Sequence, residues 1–279
     1  MSLRYRLAAP WLAVHRLLAP PAGPRLLLLH EVAGTELPAL ERLVRWLDRT
    51  GRLASPPEIE AVLAGSAAAT PRIALSFDDG FAGNLAAARV IAAAGARALF
   101  FVCPGLIELT GAAQRAAIAA NIFDGKRGAG NLRLLDWAEL ATLKAEGHTI
   151  ASHTLSHRRL TRLNAAEIAA EIDGAAALLE KRLGAGPDWF AYPFGDIDSL
   201  SPEALTIIGR RHRYCRSGVR GAIGPATPPL AIPADQIDLA APFAYQQLVA
   251  EGGLDTRYRT ARARLGEMAD QATLARNQA

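Results

Sequence analysis

Two adjacent acids, Asp78 and Asp79, follow the apolar run Ile73-Ala74-Leu75-Ser76-Phe77, and Gly80 stands behind them. Close carboxylates repel unless a proton or a cation neutralises one of them. The pair predicts a division of labour, with one acid on a cation and the other acting as a base. The alternative is a helix cap, because a helical pattern starts near Phe81. His153 and His157 stand four apart, after Thr149-Ile150-Ala151. On a helical turn that spacing puts both imidazoles on one face. With Asp79 they offer two nitrogens and one oxygen and leave a position open for water, a pattern of catalytic zinc. Iron accepts the same set. The alternative is a pair of solvated loop histidines. Two further polar clusters end apolar runs: His30-Glu31 after Leu26-Leu27-Leu28-Leu29, and Pro193-Phe194-Gly195 after Trp189-Phe190-Ala191-Tyr192.

The elements that position these clusters follow from apolar periodicity. Strands are predicted over residues 25–30, 73–77, 98–102, 149–151, 189–192 and 214–219. Helices are predicted over 37–50, 56–63, 82–94, 136–146, 164–183 and from 201. Residues 65–70 read as a small-residue linker, 104–135 as a loop excursion with helical pieces, 221–233 as an ordered loop, and the tail from 260 as a frayed helix. Strands alternating with helices predict a parallel sheet or barrel with helices outside. Polar clusters at strand carboxyl ends mark the catalytic face of such folds.

Composition narrows the function classes. The chain has 279 residues, 51% of them apolar, and a net charge of +4 spread along its length. That excludes a basic nucleic-acid arm, so no nucleic-acid partner is expected. Cys103 and Cys215 are too few for a disulfide framework or a thiolate cage, and both are expected as buried thiols. No apolar run approaches the ~20 residues of a membrane span. Residues 1–20 carry Arg4, Arg6, His15 and Arg16 among Leu, Ala and Trp11, and Pro10 breaks the short apolar stretch. The expectation is no signal peptide. These residues read either as a helix on a membrane surface or as a helix packed across the barrel's end. His148 reads as structural, and His15 and His212 have no partner in the sequence pattern.

Ser76-Phe77-Asp78-Asp79-Gly80, His153-Thr154-Leu155-Ser156-His157 and Phe190-Ala191-Tyr192-Pro193-Phe194-Gly195 resemble, in that order, the first three motifs of the polysaccharide deacetylase (NodB-homology, carbohydrate esterase family four) proteins. The resemblance spans residues 25–220. It implies an α/β fold, a distorted (β/α)7 barrel in a single domain, with residues 1–24 and 260–279 as terminal segments. It implies hydrolysis of acetamido or acetyl ester groups on glycans, usually with zinc. Asp79, His153 and His157 would hold the metal and Asp78 would be the base. The Phe194 N–H would complete an oxyanion hole, with Pro193 acting by rigidity. Tyr192 and Phe194 would offer surfaces to a sugar ring, core packing being the alternative for Tyr192.

Two departures stand out. The family's third motif often begins with an Arg that pairs with the base, and here that position is Ala191. The family's usual acid sits in a late Leu-x-His motif, which this chain lacks. Leu28-Leu29-His30 has that form at the amino end, as in the circularly permuted, poly-N-acetylglucosamine deacetylase-like members. First and last strands are neighbours in a closed barrel, so the move preserves geometry. His30 is then the candidate acid, a strand-end cap being the alternative. Glu31 reads as peripheral or solvent-facing, and Asn84 as a polar position after Asp-Asp-Gly or a helix cap.

The expectation is a metal-dependent de-N-acetylase of an N-acetylhexosamine-containing glycan or precursor. The alternatives are an O-acetyl esterase, a small-amide hydrolase or a non-catalytic glycan-binding protein. The expected location is cytoplasmic, with contact at the inner membrane surface left open.

Overall fold

Seven strands form one parallel sheet: β1 Arg25–Leu29, β2 Ile73–Phe77, β3 Ala98–Val102, β4 Thr149–Ser152, β5 Trp189–Ala191, β6 Tyr214–Arg216 and β7 Asp235–Gln236. The computed structural model describes residues 5, 7–18, 23–66 and 71–278. Residues 67–70 of the expected linker over 65–70 and parts of segment 1–24 lie outside the described residues. The strand order is β6-β5-β4-β3-β2-β1-β7. The helices are α1 Ala8–Leu18, α2 Leu37–Arg49, α3 Pro56–Leu63, α4 Asn84–Ala93, α5 Pro104–Ile107, α6 Gly111–Ala117, α7 Trp137–Ala145, α8 Ala165–Leu183, α9 Pro202–Arg211, α10 Phe243–Ala250 and α11 Arg259–Asn277.

Strand periodicity sorts the apolar residues into layers. Leu26, Leu28, Ala74, Leu99, Phe101, Ala151, Trp189 and Tyr214 share the cluster inside the curl of the sheet. Their neighbours Leu27, Leu29, Leu75, Phe77, Phe100 and Val102 face the other way and pack with Leu40, Leu43, Ile91 and Leu140 of the outer helices. Both faces of each central strand are covered, which is why these strands read as continuous apolar runs.

The sheet curls because segment 232–236 reaches both of its ends. Ile232 pairs with Arg216, and the Ser217 N–H donates to the Ile232 carbonyl at 2.8 Å. A few residues later β7 pairs with β1, Leu27 opposite Asp235 and Leu28 opposite Gln236. The result is the α/β distorted barrel expected. The loop predicted over 221–233 thus ends as a bridging segment, and the sixth strand is three residues long rather than six.

Helix ends follow local chemistry. Asp136 and Asn164 accept from the N–H groups of Glu139 and Glu167, whose carboxylates bond back to the caps, a reciprocal capping box. The expected frayed helix from 260 is instead 19 residues long. Its Leu265, Met268, Ala269 and Ala272 recur at helical spacing and are buried with Leu205 and Ile208 of α9. The alanines in that stripe hid it from the sequence pattern.

Candidate active site

Strand alternation carries three site residues inward past the strand ends. Ala74, Ser76 and Asp78 share a face by period two, and the ladder continues, with the Asp78 N–H bonded to the Leu29 carbonyl at 2.9 Å. His153 follows Ala151 by the same period, its N–H on the Val102 carbonyl at 2.9 Å. His30 follows Leu28. Asp78, Asp79, His153 and His157 are buried, and His30 is exposed at the mouth. All five line one cleft of about 810 Å³ with Phe194.

The histidine spacing works by a different route from the helical turn expected. Thr154 and His157 have φ of +66° and +62°, and the His157 N–H bonds to the Thr154 hydroxyl at 2.9 Å. A tight left-handed loop, not a helix, brings the rings together, their centroids 4.9 Å apart. Asp79 and Phe194 also sit at positive φ, +70° and +67°. Only one other non-glycine among the described residues does, Asp124. Left-handed backbone is costly for such residues and persists where surrounding structure enforces it, typically at functional sites.

The residues fit a metal. His153 Nδ1 is 2.7 Å from the Ala191 carbonyl and His157 Nδ1 is 3.0 Å from the Asn121 carbonyl. A carbonyl only accepts, so each Nδ1 carries a proton. Each neutral ring therefore turns an Nε2 lone pair inward. Those atoms lie 3.5 and 3.2 Å from Asp79 Oδ1, which has no hydrogen-bond partner although it is buried. Ligands about 2 Å from one tetrahedral ion are ~3.3 Å apart. Converging lone pairs at that spacing call for a shared cation, and the carbonyl partners are the orienting contacts metal-bound histidines usually have.

Asp78 is held by a residue the sequence reading did not single out. The Arg216 guanidinium donates to Asp78 Oδ1, and Arg216 is fully buried, with its Cζ 4.6 Å from the Phe101 ring. Arg216 ends β6 opposite Ala191 of β5. The small side chain at Ala191 leaves the space, and the neighbouring strand supplies the cation. The signal was a charged residue closing the apolar strand Tyr214-Cys215-Arg216.

Other expectations change. Tyr192 cannot present a face to a sugar: it is 1% exposed, packed in the core, and its hydroxyl donates to the Gly195 carbonyl at 3.0 Å. Pro193 is buried beside it. Both shape the turn that holds Phe194 rather than touch the cleft. Gly195 is needed there because a Cβ would lie 2.9 Å from the Gly218 nitrogen. Asn84 caps nothing: its Oδ1 accepts from the Val32 N–H at 3.1 Å, tying the loop after His30 to the loop after Asp79. Glu31 lines the cleft, and burial with nearby Glu36 pushes its carboxyl up. His148 and His212 are buried, and burial pushes each down to about 4. Cys103 and Cys215 are free and buried.

Glu171 of α8 is a second missed residue. Its carboxylate accepts from the Ser156 N–H at 2.9 Å and the Ser156 hydroxyl at 2.6 Å, fixing the loop between the two histidines. Glu171→Ala should weaken metal binding about 10- to 100-fold, the usual cost of losing an outer contact. Chelator competition would measure it, and an unchanged Kd would show that the loop keeps its shape without this carboxylate.

The Polysaccharide deacetylase family model matches residues 66–211. Chitin deacetylase 1 of Cryptococcus neoformans var. grubii is 42% identical over 59 residues, 21% of this chain and only 13% of that protein. Three solved structures share the fold at low identity. The Streptococcus pyogenes deacetylase PplD, in complex with acetate, superposes with a TM-score of 0.66 at 18% identity over 83% of this chain and 100% of that one. IcaB from Ammonifex degensii gives 0.64 at 20% over 82% and 96%. The BpsB deacetylase domain from Bordetella bronchiseptica gives 0.62 at 18% over 79% and 98%. The family match takes in just over half of the chain, with Asp78, Asp79, His153, His157 and Phe194 inside it; this chain belongs to the polysaccharide deacetylase family.

Proposed function

We propose that the chain is a metal-dependent hydrolase that removes N-acetyl groups from an N-acetylhexosamine-containing glycan or its precursor. The observation that carries this reading is the convergence of Asp79, His153 and His157 donor atoms, all within 4.8 Å of one another, beside a second carboxylate held by a buried arginine. Amide hydrolysis needs an activated water, charge stabilisation on the tetrahedral oxygen and a proton for the leaving nitrogen. A divalent cation, zinc first among candidates, supplies Lewis acidity when bound, polarising the acyl oxygen and acidifying water.

The chain's own residues do the rest. Asp78 takes the proton of the attacking water, its carboxylate oriented by Arg216. The Phe194 N–H makes no hydrogen bond among the described residues and is free to donate to the developing oxyanion. His30, on the strand next to Asp78, gives the proton to the leaving nitrogen. Its place on β1, between β2 and β7, supports a permuted Leu-x-His motif. The cleft offers Phe123 and Phe194 as apolar faces and Glu36, Asp196 and Gln236 as polar ones, a mixture suited to sugar rings.

The test combines metal analysis with acetate release from N-acetylglucosamine oligomers and from an O-acetylated panel. Bound metal with acetate from the oligomers supports the reading. Bound metal with acetate from esters alone moves the substrate to the O-acetyl class, and no metal after reconstitution removes the reading. His30→Ala should lower kcat on the amide about a hundredfold with metal retained. The loss on an ester should be smaller, because an alkoxide leaves with less help than an amide nitrogen. A kcat on the amide near wild type, or an equal loss on both substrates, would dismiss His30 as the acid.

A further inference from the structure

We propose that α1 docks this protein onto a lipid bilayer carrying anionic headgroups. One face of the helix is already used. Ala8 and Leu12 are buried, the His15 ring nitrogen Nε2 is 2.8 Å from the Glu251 carbonyl, and the Trp11 indole N–H reaches the Gly253 carbonyl at 3.4 Å. These contacts clamp α1 onto α10 and the turn after it. The uncovered face beside it should then be polar, as on an ordinary surface helix. Here it is apolar. Leu7, Trp11, Val14 and Leu18 follow one another at spacings of four, three and four, one outward stripe of a helix, and Leu17 flanks them. Leu17 and Leu18 are 84% and 81% exposed and Trp11 is 54% exposed. Only one other large apolar side chain among the described residues is comparably exposed, Leu274 on α11.

Charge selects the occupant. Residues 1–18 contain Arg4, Arg6 and Arg16 and no acid, the first acid in the sequence being Glu31; Arg16 is forked onto Glu251 at 2.7 and 2.9 Å, so the excess positive charge of the stretch comes from Arg4 and Arg6. An apolar stripe with a tryptophan in an arginine-bearing, acid-free stretch of sequence suits the headgroup region of an anionic bilayer. A second copy of the chain fits less well. The stripe belongs to a helix of 11 residues, about 16 Å long, short of the ~800 Å² per partner that a stable dimer buries. Bilayer binding has no such threshold and grows with buried apolar area and charge. The chain just before α1 reaches the active-site mouth: Tyr5 lines a cavity of about 370 Å³ together with His30 and Tyr245.

Flotation of the purified chain with vesicles tests the proposal independently of the acyl chemistry. Wild type should float with phosphatidylcholine–phosphatidylglycerol vesicles and less with phosphatidylcholine alone. The triple variant Val14→Ser, Leu17→Ser, Leu18→Ser should lose about tenfold or more of the bound fraction. These side chains are exposed, so its circular dichroism melt should match wild type, and acetate release from soluble oligomers should be unchanged. Wild type that stays in the buffer with both vesicles overturns the proposal, as does a variant that floats like wild type. A wild-type dimer in light scattering that the variant dissociates also overturns it and assigns the stripe to a second copy.

Discussion

His153→Ala should purify without metal and release no acetate above background, whereas Asp78→Asn should keep its metal and still lose about 10²- to 10⁴-fold in kcat. The two residues are close, His153 Nε2 lying 4.0 Å from Asp78 Oδ2, so the contrast tests roles rather than location. His153 contributes one of three inward donor atoms and is oriented by the Ala191 carbonyl. Without it, two donors remain for an ion that needs at least three from the protein to stay bound. Asp78→Asn keeps the shape of the side chain and removes its ability to take a proton. Metal content by mass spectrometry and single-substrate kinetics separate the outcomes. Full metal occupancy in His153→Ala would remove the ligand set proposed above. Near-normal turnover in Asp78→Asn would move the base to another group. A melting curve on each variant guards against unfolding, because alanine in place of buried His153 also leaves a hole next to Phe101.

Arg216→Met should be the most damaging change outside Asp78, Asp79, His153 and His157. Methionine roughly fills the volume over Phe101 but leaves Asp78 buried without its cation. Breaking a buried ion pair from one side costs about 3–5 kcal/mol of stability. The same change frees the base to rotate, so kcat should fall towards the Asp78→Asn value while metal content stays near wild type. The register suggests the rescue. Ala191 lies directly opposite Arg216, so Ala191→Arg combined with Arg216→Ala returns a guanidinium to the position where the third motif usually carries it. The double variant should recover much of the activity that Arg216→Met loses. If Arg216→Met is merely less stable, with an unchanged kcat at low temperature, Arg216 holds the fold and not the base.

Much of the fold was legible because its causes are local. Runs such as 98–102 and 56–63 announce themselves by period and by capping residues. Asp78, Asp79, His153 and His157 stood out in the sequence because such residue types at strand ends suit chemistry, and the structure brings all four to one cleft. What escaped has one physical character: each case depends on contacts between segments distant in sequence. Arg216 reaches Asp78 across 138 positions of sequence, and only the pairing of β5 with β6 makes it the stand-in for Ala191. Glu171 looked like one more helix acid until the histidine loop folded over it. Tyr192 sat beside a functional turn and faced the core, because the alternation of side chains along β5 is fixed by its neighbours.

The sequence alone determined which residue types this chain brings to its strand ends, two adjacent acids and three histidines among them. The tertiary structure decided how they are arranged: which imidazole nitrogen faces inward, which cation pairs with Asp78, and which face of α1 stays uncovered. Those choices are set by strand register and by what packs opposite, and neither is written in any single segment.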